Sequence, residues 1–133
     1  MGTHGSGKQL ILLAEDTNEI RHMVAGVLCQ NGYCVLEAGD GLEALEISDS
    51  YAGDIDILIT DLMMPRLSGL DLIRTLKQRR PATRVLAISG WTNAILDSGT
   101  ALLQKPFTGA ALLRKIDEVI AGGTSMALSP GVG

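Results

Sequence analysis

The sequence lacks the features that would direct it to a membrane or to nucleic acid. Its longest apolar runs stay well short of the ~20 residues that a membrane-spanning helix needs. Its 11 lysines and arginines stand against 15 acidic residues, for a net charge of −4, so there is no basic surface of the kind that binds nucleic acid through phosphate contacts. We therefore expect neither membrane insertion nor direct contact with nucleic acid.

Cysteine is also scarce. The two cysteines, Cys29 and Cys34, are separated by four residues, which fits no common zinc motif, and no histidine lies near enough to complete a site. They are predicted to be buried or half-buried thiols. Residues 1–7 have no apolar segment of the kind that a signal peptide contains. Together these features favour a reducing, cytoplasmic location.

What the sequence does contain is the material for one globular domain. A length of 133 residues is typical of a single domain, and 46% of the residues are hydrophobic, which is enough for a core. Five short, mostly apolar segments are predicted to be strands. They span residues 9–14, 33–38, 56–60, 84–89 and 101–104.

Apolar residues at helical spacing lie between and after these strands. The first helix begins at Asp16 or Thr17 as N-cap and ends at Asn31-Gly32. The apolar positions of the long helices are Ile20, Met23, Val24, Val27 and Leu28; Leu42, Leu45 and Ile47; Leu70, Ile73 and Leu76; and Leu112, Leu113, Ile116, Val119 and Ile120. A further, shortened fourth helix would have to fit between Trp91 and Ser98.

Strands that alternate with helices predict an α/β fold, a doubly wound five-stranded parallel sheet with helices on both faces. We place the domain at residues 8–121 and expect residues 1–7 and 122–133 to be flexible termini, because the chain there is rich in glycine and serine and has no apolar period. Ligands of such sheets bind at the carboxyl ends of the strands.

Polar residues cluster at those strand ends: Glu15, Asp16, Asp61, Ser89 and Lys105. Alone, each could be a helix cap, a strand-end hydroxyl or a solvated lysine. Together they predict a crevice in which two carboxylates about 4 Å apart would repel by roughly 4 kcal/mol at an effective dielectric constant of about 20. A hard cation such as Mg2+ suits such oxygens. A carboxylate nucleophile beside a metal, a lysine and a hydroxyl is suited to receiving a phosphoryl group.

Four segments resemble response-regulator receiver domains of two-component signalling: LLAED (residues 12–16), ITDLMMPRLSGL (59–70), AISG (87–90) and QKPF (104–107). The resemblance implies a flavodoxin-like receiver fold in which Asp61 accepts a phosphoryl group from a histidine kinase, a phosphotransfer protein or a small phosphodonor. It implies that Glu15, Asp16, Asp61 and the backbone carbonyl of Met63 hold Mg2+. Ser89 and Lys105 would bind the phosphoryl oxygens, and the Lys105-Pro106 bond would be cis.

Two departures from the family bear on output. Receivers usually have Tyr or Phe three residues before the lysine, where this chain has Leu102, and the stretch from Ser89 to Lys105 is short. Met63 and Trp91 flank the phosphoryl site with apolar side chains, which predicts a long-lived phosphoryl group. Trp91 could also be a core residue or a partner contact. The SGW and LLQKPFT stretches resemble receivers of hybrid histidine kinases.

Three functions follow as hypotheses. The first is a phosphoacceptor that signals to a downstream protein by contact and is not an enzyme beyond Mg2+-dependent self-phosphorylation and self-dephosphorylation. The second is an interaction module that does not depend on phosphorylation. An aspartyl-nucleophile hydrolase is rejected, because it needs a second acid where this chain has Met63.

Overall fold

The computed structural model describes residues 9–90 and 100–122. Within these residues there are five strands and four α-helices, which alternate along the chain except that β5 follows β4. The strands are β1 (Leu10–Ala14), β2 (Cys34–Ala38), β3 (Ile57–Asp61), β4 (Arg84–Ser89) and β5 (Thr100–Gln104). The helices are α1 (Asn18–Gln30), α2 (Gly41–Ser50), α3 (Gly69–Arg79) and α4 (Gly109–Ile120). Each predicted strand agrees with the structure to within one residue at either end. The predicted short fourth helix and both termini lie outside the described residues.

The five strands form one parallel sheet in the order β2-β1-β3-β4-β5. The order reverses between β1 and β3, which pair directly, with Leu12 opposite Leu58 and Ala14 opposite Thr60. This arrangement confirms the predicted doubly wound fold. A reversal of this kind leaves a crevice at the carboxyl ends of β1 and β3, because the connections that follow these two strands run to opposite sides of the sheet.

The sheet has an apolar core on each face, since successive strand residues point to opposite sides. Ile11, Leu13 and Ile59 pack with α1 and α4, whereas Leu12, Leu58 and Ala87 pack with α2 and α3. All six side chains are almost completely buried. Among the described residues no helix combines the length and the apolar character needed to cross a bilayer.

Several apolar positions predicted to face the core are exposed. Met23, Leu42 and Leu70 are 50%, 39% and 42% exposed. In α3 the buried apolar side chains are those of Leu72, Ile73 and Leu76, so Leu70 at the start of the helix lies outside that face. In α1 the buried residues are Val24, Ala25 and Leu28, so Met23 lies outside the buried face. The predicted burial of Cys29 is also wrong: its thiol is exposed, because it follows Leu28 on the solvent side of the last helical turn.

The connection between α2 and β3 is organised by Arg80. Its guanidinium donates hydrogen bonds to the Ser48 hydroxyl at 2.8 Å and to the carbonyl oxygens of Ser48, Tyr51 and Gly53 at 2.7, 2.7 and 2.8 Å. Ser48 is buried, so its hydroxyl and carbonyl oxygens have little access to replacement water, whereas the bond to Gly53 is exposed. Arg80 thus donates hydrogen bonds to carbonyl oxygens at the carboxyl-terminal end of α2. Its positive charge also complements the helix dipole.

We expect Arg80→Met to lower the free energy of unfolding by about 2–3 kcal/mol, because it leaves carbonyl oxygens without donors. The neighbouring Arg79 provides a matched control. Its ion pair with Asp49 has the short separation of 2.7 Å, but both side chains are about half exposed. Arg79→Met should therefore cost less than about 1 kcal/mol. Urea unfolding measures both values, and equal losses would show that the buried acceptors do not matter.

Asp40 connects the start of α2 to the loop after β3. Its side chain caps α2 by accepting a hydrogen bond from the backbone N–H of Glu43 at 2.9 Å. It also accepts hydrogen bonds from Arg66 at 2.7 and 3.0 Å, and Arg66 has a φ of 68°, an unusual value for a residue other than glycine. The Glu43 N–H and the Arg66 charge lower the pKa of Asp40 below its ordinary 3.8.

A lowered pKa in the folded state means that Asp40 stabilises the fold above its ordinary pKa and that this contribution disappears as the pH falls through the lower, folded-state value. Asp40→Asn preserves a capping oxygen but removes the charge. We expect it to reduce the free energy of unfolding by roughly 0.5–1 kcal/mol at pH 7 and by progressively less as the pH falls below the ordinary pKa of 3.8 and through the lower, folded-state value. Urea titrations across this range measure the difference, and a difference independent of pH would contradict the charge-based account.

Candidate functional site

The predicted site residues lie at the carboxyl edge of the sheet. Glu15 and Asp16 directly follow β1, Asp61 is the last residue of β3, Ser89 is the last residue of β4, and Lys105 directly follows β5. Parallel strands end at the same edge, so positions far apart in sequence become neighbours. The edge is held together by backbone hydrogen bonds that continue past the strands, such as Lys105 N–H to the Ser89 carbonyl at 2.8 Å.

Asp61 lies at the centre of this edge and is 5% exposed. One carboxylate oxygen, Oδ2, accepts a hydrogen bond from Lys105 Nζ at 2.5 Å. The other, Oδ1, accepts one from the backbone N–H of Met63 at 3.0 Å. Because both oxygens have fixed donors, the carboxylate has a defined orientation before any ligand binds.

Gly69 allows the chain to return tightly over Asp61. Its N–H donates a hydrogen bond to the Leu62 carbonyl at 3.0 Å, and a Cβ at this position would lie 2.1 Å from the Asp61 carbonyl oxygen. No side chain fits there without moving the backbone of Asp61 or the first turn of α3. The glycine predicted to shape this loop is therefore required by its contact with the nucleophile candidate.

Glu15 is 2% exposed, which is unusual for a carboxylate. Its Oε2 accepts a hydrogen bond from the Thr17 N–H at 3.0 Å. Its Oε1 is buried, lies 3.6 Å from Lys105 Nζ and accepts no hydrogen bond within the described part of the chain. Burial raises the pKa of Glu15, and the negative charge of Asp61 raises it further, against the opposing effects of the Thr17 N–H and Lys105.

The acidic residues form one cluster. Glu15, Asp16 and Asp61 each offer a carboxylate oxygen, and these oxygens lie within 4.8 Å of one another. Asp16 is exposed at the mouth, and Thr17, not Asp16, is the N-cap of α1. Hard divalent cations prefer carboxylate oxygens, and Glu15 Oε1, which accepts no hydrogen bond among the described residues, is an oxygen that such a cation would satisfy. The residues present therefore fit a Mg2+ ion.

Lys105 supplies the positive charge of the site. Burial by itself lowers the pKa of Lys105, but the hydrogen bond to Asp61 and the negative charges of Asp61 and Glu15 outweigh burial and raise that pKa above its usual 10.5. The ammonium is therefore protonated at neutral pH. The Lys105-Pro106 bond is cis, as the resemblance implied.

Ser89 and Met63 are at the edge as well. Ser89 is completely buried, and its carbonyl accepts the hydrogen bond from the Lys105 N–H. The Met63 N–H contacts Asp61, and the Met63 side chain is 64% exposed. The roles of the Ser89 hydroxyl and the Met63 carbonyl remain predictions, and Trp91 lies outside the described residues. A cavity of about 550 Å3 lies elsewhere, at the amino-terminal edge of β3 and β4, and includes none of the predicted site residues.

One residue beside the site was missed in the sequence. The side chain of Arg21, on α1, donates a hydrogen bond to the Glu15 carbonyl oxygen at 2.8 Å. Arg21 lies on the polar side of the helical pattern, where an arginine is usually solvated. The signal available was its position five residues after Asp16, but spacing alone does not reveal a contact with the backbone of the preceding loop.

Comparison with known proteins agrees with this geometry. Residues 11–117 match the response regulator receiver domain family. The chain is 33% identical over 121 residues to the sensor kinase CckA of Brucella abortus, covering 86% of this chain and 13% of the kinase. It is 37% identical to the transcriptional activator protein ExaE of Pseudomonas putida, covering 84% of this chain and 55% of that protein.

A solved structure of the receiver domain from the hybrid histidine kinase CckA superimposes with a TM-score of 0.75 at 35% identity, covering 84% of this chain and 98% of that domain. The chain thus spans only a part of the curated relatives named above, from about one eighth to about half of their length. The family match covers most of the chain, and the strand order and the acidic edge with its lysine are consistent with it. The chain belongs to the response regulator receiver domain family of two-component signalling.

Proposed function

We propose that this receiver accepts a phosphoryl group on Asp61 from the phosphohistidine of a histidine kinase or phosphotransfer protein and passes the signal on by contact with a protein. The observation that supports this most is the paired environment of the Asp61 carboxylate. It lies 2.5 Å from Lys105 Nζ and within 4.8 Å of carboxylate oxygens of Glu15 and Asp16. A buried carboxylate held between a cation and a metal-binding cluster is suited to nucleophilic attack on phosphorus.

The transfer exchanges one bond to phosphorus for another. An Asp61 carboxylate oxygen forms a bond to phosphorus, the P–N bond of the phosphohistidine breaks, and its electron pair stays on the imidazole nitrogen. The Lys105 ammonium then binds a phosphoryl oxygen, and the Ser89 hydroxyl donates to another. Glu15, Asp16, Asp61 and the Met63 carbonyl would hold Mg2+, which when bound neutralises charge on the carboxylates and on the phosphoryl oxygens.

In this proposal the domain is not an enzyme acting on a free substrate. It catalyses only its own phosphorylation and dephosphorylation, with Mg2+ as cofactor. Its phosphodonor is a kinase or phosphotransfer protein, which favours a cytoplasmic location. The net charge of −4 supports an output through protein contact without direct nucleic-acid binding.

We expect incubation of the full chain with acetyl phosphate and Mg2+ to add one phosphoryl group, and Asp61→Asn to abolish the addition. Lys105→Met should slow labelling by roughly 100-fold, because it removes the charge that stabilises the phosphoryl oxygens. Lys115→Met is the matched control, since Lys115 pairs with Glu118 on α4, away from the acidic cluster. Intact mass over time measures all four proteins, and equal labelling of wild type and Asp61→Asn would exclude Asp61 as the acceptor.

A phosphorylation-independent interaction module is the second candidate, and Leu102 is the observation that favours it. Leu102 is half-buried and packs against the apolar core between the sheet and the α2–α3 face, where the family usually has an aromatic residue. A folded protein that binds a partner equally well as wild type and as Asp61→Asn, with and without acetyl phosphate, would support this candidate over phosphoacceptance.

The exposed Met63 side chain is the basis for predicting a long-lived phosphoryl group on Asp61. An apolar side chain next to the phosphoryl site does not orient an attacking water, so Met63→Asn should speed loss of the phosphoryl group by about threefold or more, equivalent to about 0.7 kcal/mol in activation free energy. Met23→Asn on α1 is the control, since Met23 is similarly exposed outside the β3–α3 loop. The decay of the phosphorylated mass over time measures the dephosphorylation rates. An unchanged rate for Met63→Asn would exclude Met63 as a determinant of the phosphoryl lifetime. Trp91→Glu is expected to act in the same direction.

A further inference from the structure

Arg21 connects three parts of the chain beside the acidic cluster. Its Nη1 donates a hydrogen bond to the Glu15 carbonyl at 2.8 Å, and its Nη2 donates one to Asn18 Oδ1 at 2.6 Å. Its Nε lies 3.3 Å from Glu37 Oε1 on β2. The side chain is only 14% exposed, so these partners hold it in a protected position. The guanidinium thus makes two hydrogen bonds through Nη1 and Nη2 and an ion pair through Nε.

The Glu15 carbonyl is part of the peptide unit that joins Glu15 to Asp16. A hydrogen bond to this oxygen therefore restrains the peptide from which both carboxylates project. The Thr17 N–H restrains the same turn from the other side through Glu15 Oε2. Without such restraints, mutual repulsion would favour a loop in which the carboxylates of Glu15, Asp16 and Asp61 lie farther apart.

We propose that Arg21 is a positioning residue of the Mg2+ site: it fixes the turn bearing Glu15 and Asp16 so that their carboxylates face Asp61. This inference rests on the proposed function, in which these residues hold the ion. Partners that orient metal ligands from outside the coordination sphere strongly influence metal affinity. Glu37 contributes by orienting the guanidinium and by balancing its charge next to a site for a cation.

The sign of the effect separates positioning from simple electrostatics. If Arg21 acted only as a nearby positive charge, its removal would strengthen the binding of a divalent cation. If Arg21 acts by positioning, its removal weakens that binding. Arg21→Lys distinguishes positioning from electrostatics in a second way. A lysine retains the positive charge, but its single ammonium replaces the planar guanidinium that contacts three partners.

The test is calorimetric titration of the full 133-residue chain with Mg2+ alone, at a temperature at which circular dichroism shows each variant to be folded. We expect Arg21→Gln and Arg21→Lys to raise the Kd for Mg2+ by about tenfold or more. Glu37→Gln, which retains an acceptor for Nε, should cause a smaller rise. Arg79→Gln is the matched control, since Arg79 pairs with Asp49 away from the site, and should leave the Kd unchanged.

A second readout excludes a merely structural role. If Arg21 only positions the loop, acetyl phosphate labelling of Arg21→Lys should need more Mg2+ to reach half its maximal rate, while the maximal rate stays near that of wild type. A general loss of folded protein would lower the maximal rate instead. Folded Arg21→Lys that binds Mg2+ as tightly as wild type would overturn the inference alone. Wild type that does not bind Mg2+ would overturn the proposed metal site together with it.

Discussion

Three carboxylates at one edge of a sheet repel one another unless a positive charge lies among them, and in the described structure Lys105 provides that charge. Its ammonium contacts Asp61 at 2.5 Å and lies 3.6 Å from Glu15, so it compensates the two buried carboxylates at once. Asp16, the third, is exposed to solvent. The compensation is incomplete, because Glu15 Oε1 accepts no hydrogen bond from any residue that the structure describes and burial raises the pKa of Glu15. An acidic cluster in this condition could hold a metal ion.

The backbone around this ion pair holds the charges at fixed separations. The Lys105 N–H bonds to the Ser89 carbonyl, and the Leu62 N–H bonds to the Ile88 carbonyl, so the segments after β3 and β5 are both tied to β4. Gly69 brings the start of α3 against the backbone of Asp61, where a Cβ would not fit. Burying these carboxylates is tolerable because folding has already placed their partners, which reduces the reorganisation that phosphoryl transfer would require.

Two arginines secure the connections around α2, on the face opposite α1 and α4. Arg66 contacts the capping residue Asp40 at the amino-terminal end of α2, and Arg80 satisfies carbonyl oxygens at its carboxyl-terminal end. Because Arg66 belongs to the loop between β3 and α3, the first of these contacts joins that loop to α2. Leu102 packs into the core on this same face, so the leucine that replaces the usual aromatic residue lies among residues that are already closely packed.

The fold class, the positions of the five strands and the residues of the acidic edge could all be predicted from the amino-acid sequence. Buried parallel strands are continuous apolar runs and their ends are polar, so residues such as Asp61 and Lys105 are recognisable from local pattern and from the family motifs that surround them. The rotation of the helices and the contacts between distant segments emerged only with the folded structure. It left Met23 and Leu70 exposed, because an apolar period does not specify the centre of the buried face. It also placed Arg21 against the Glu15 carbonyl, since a side chain that bonds to backbone leaves no periodic signal in the sequence.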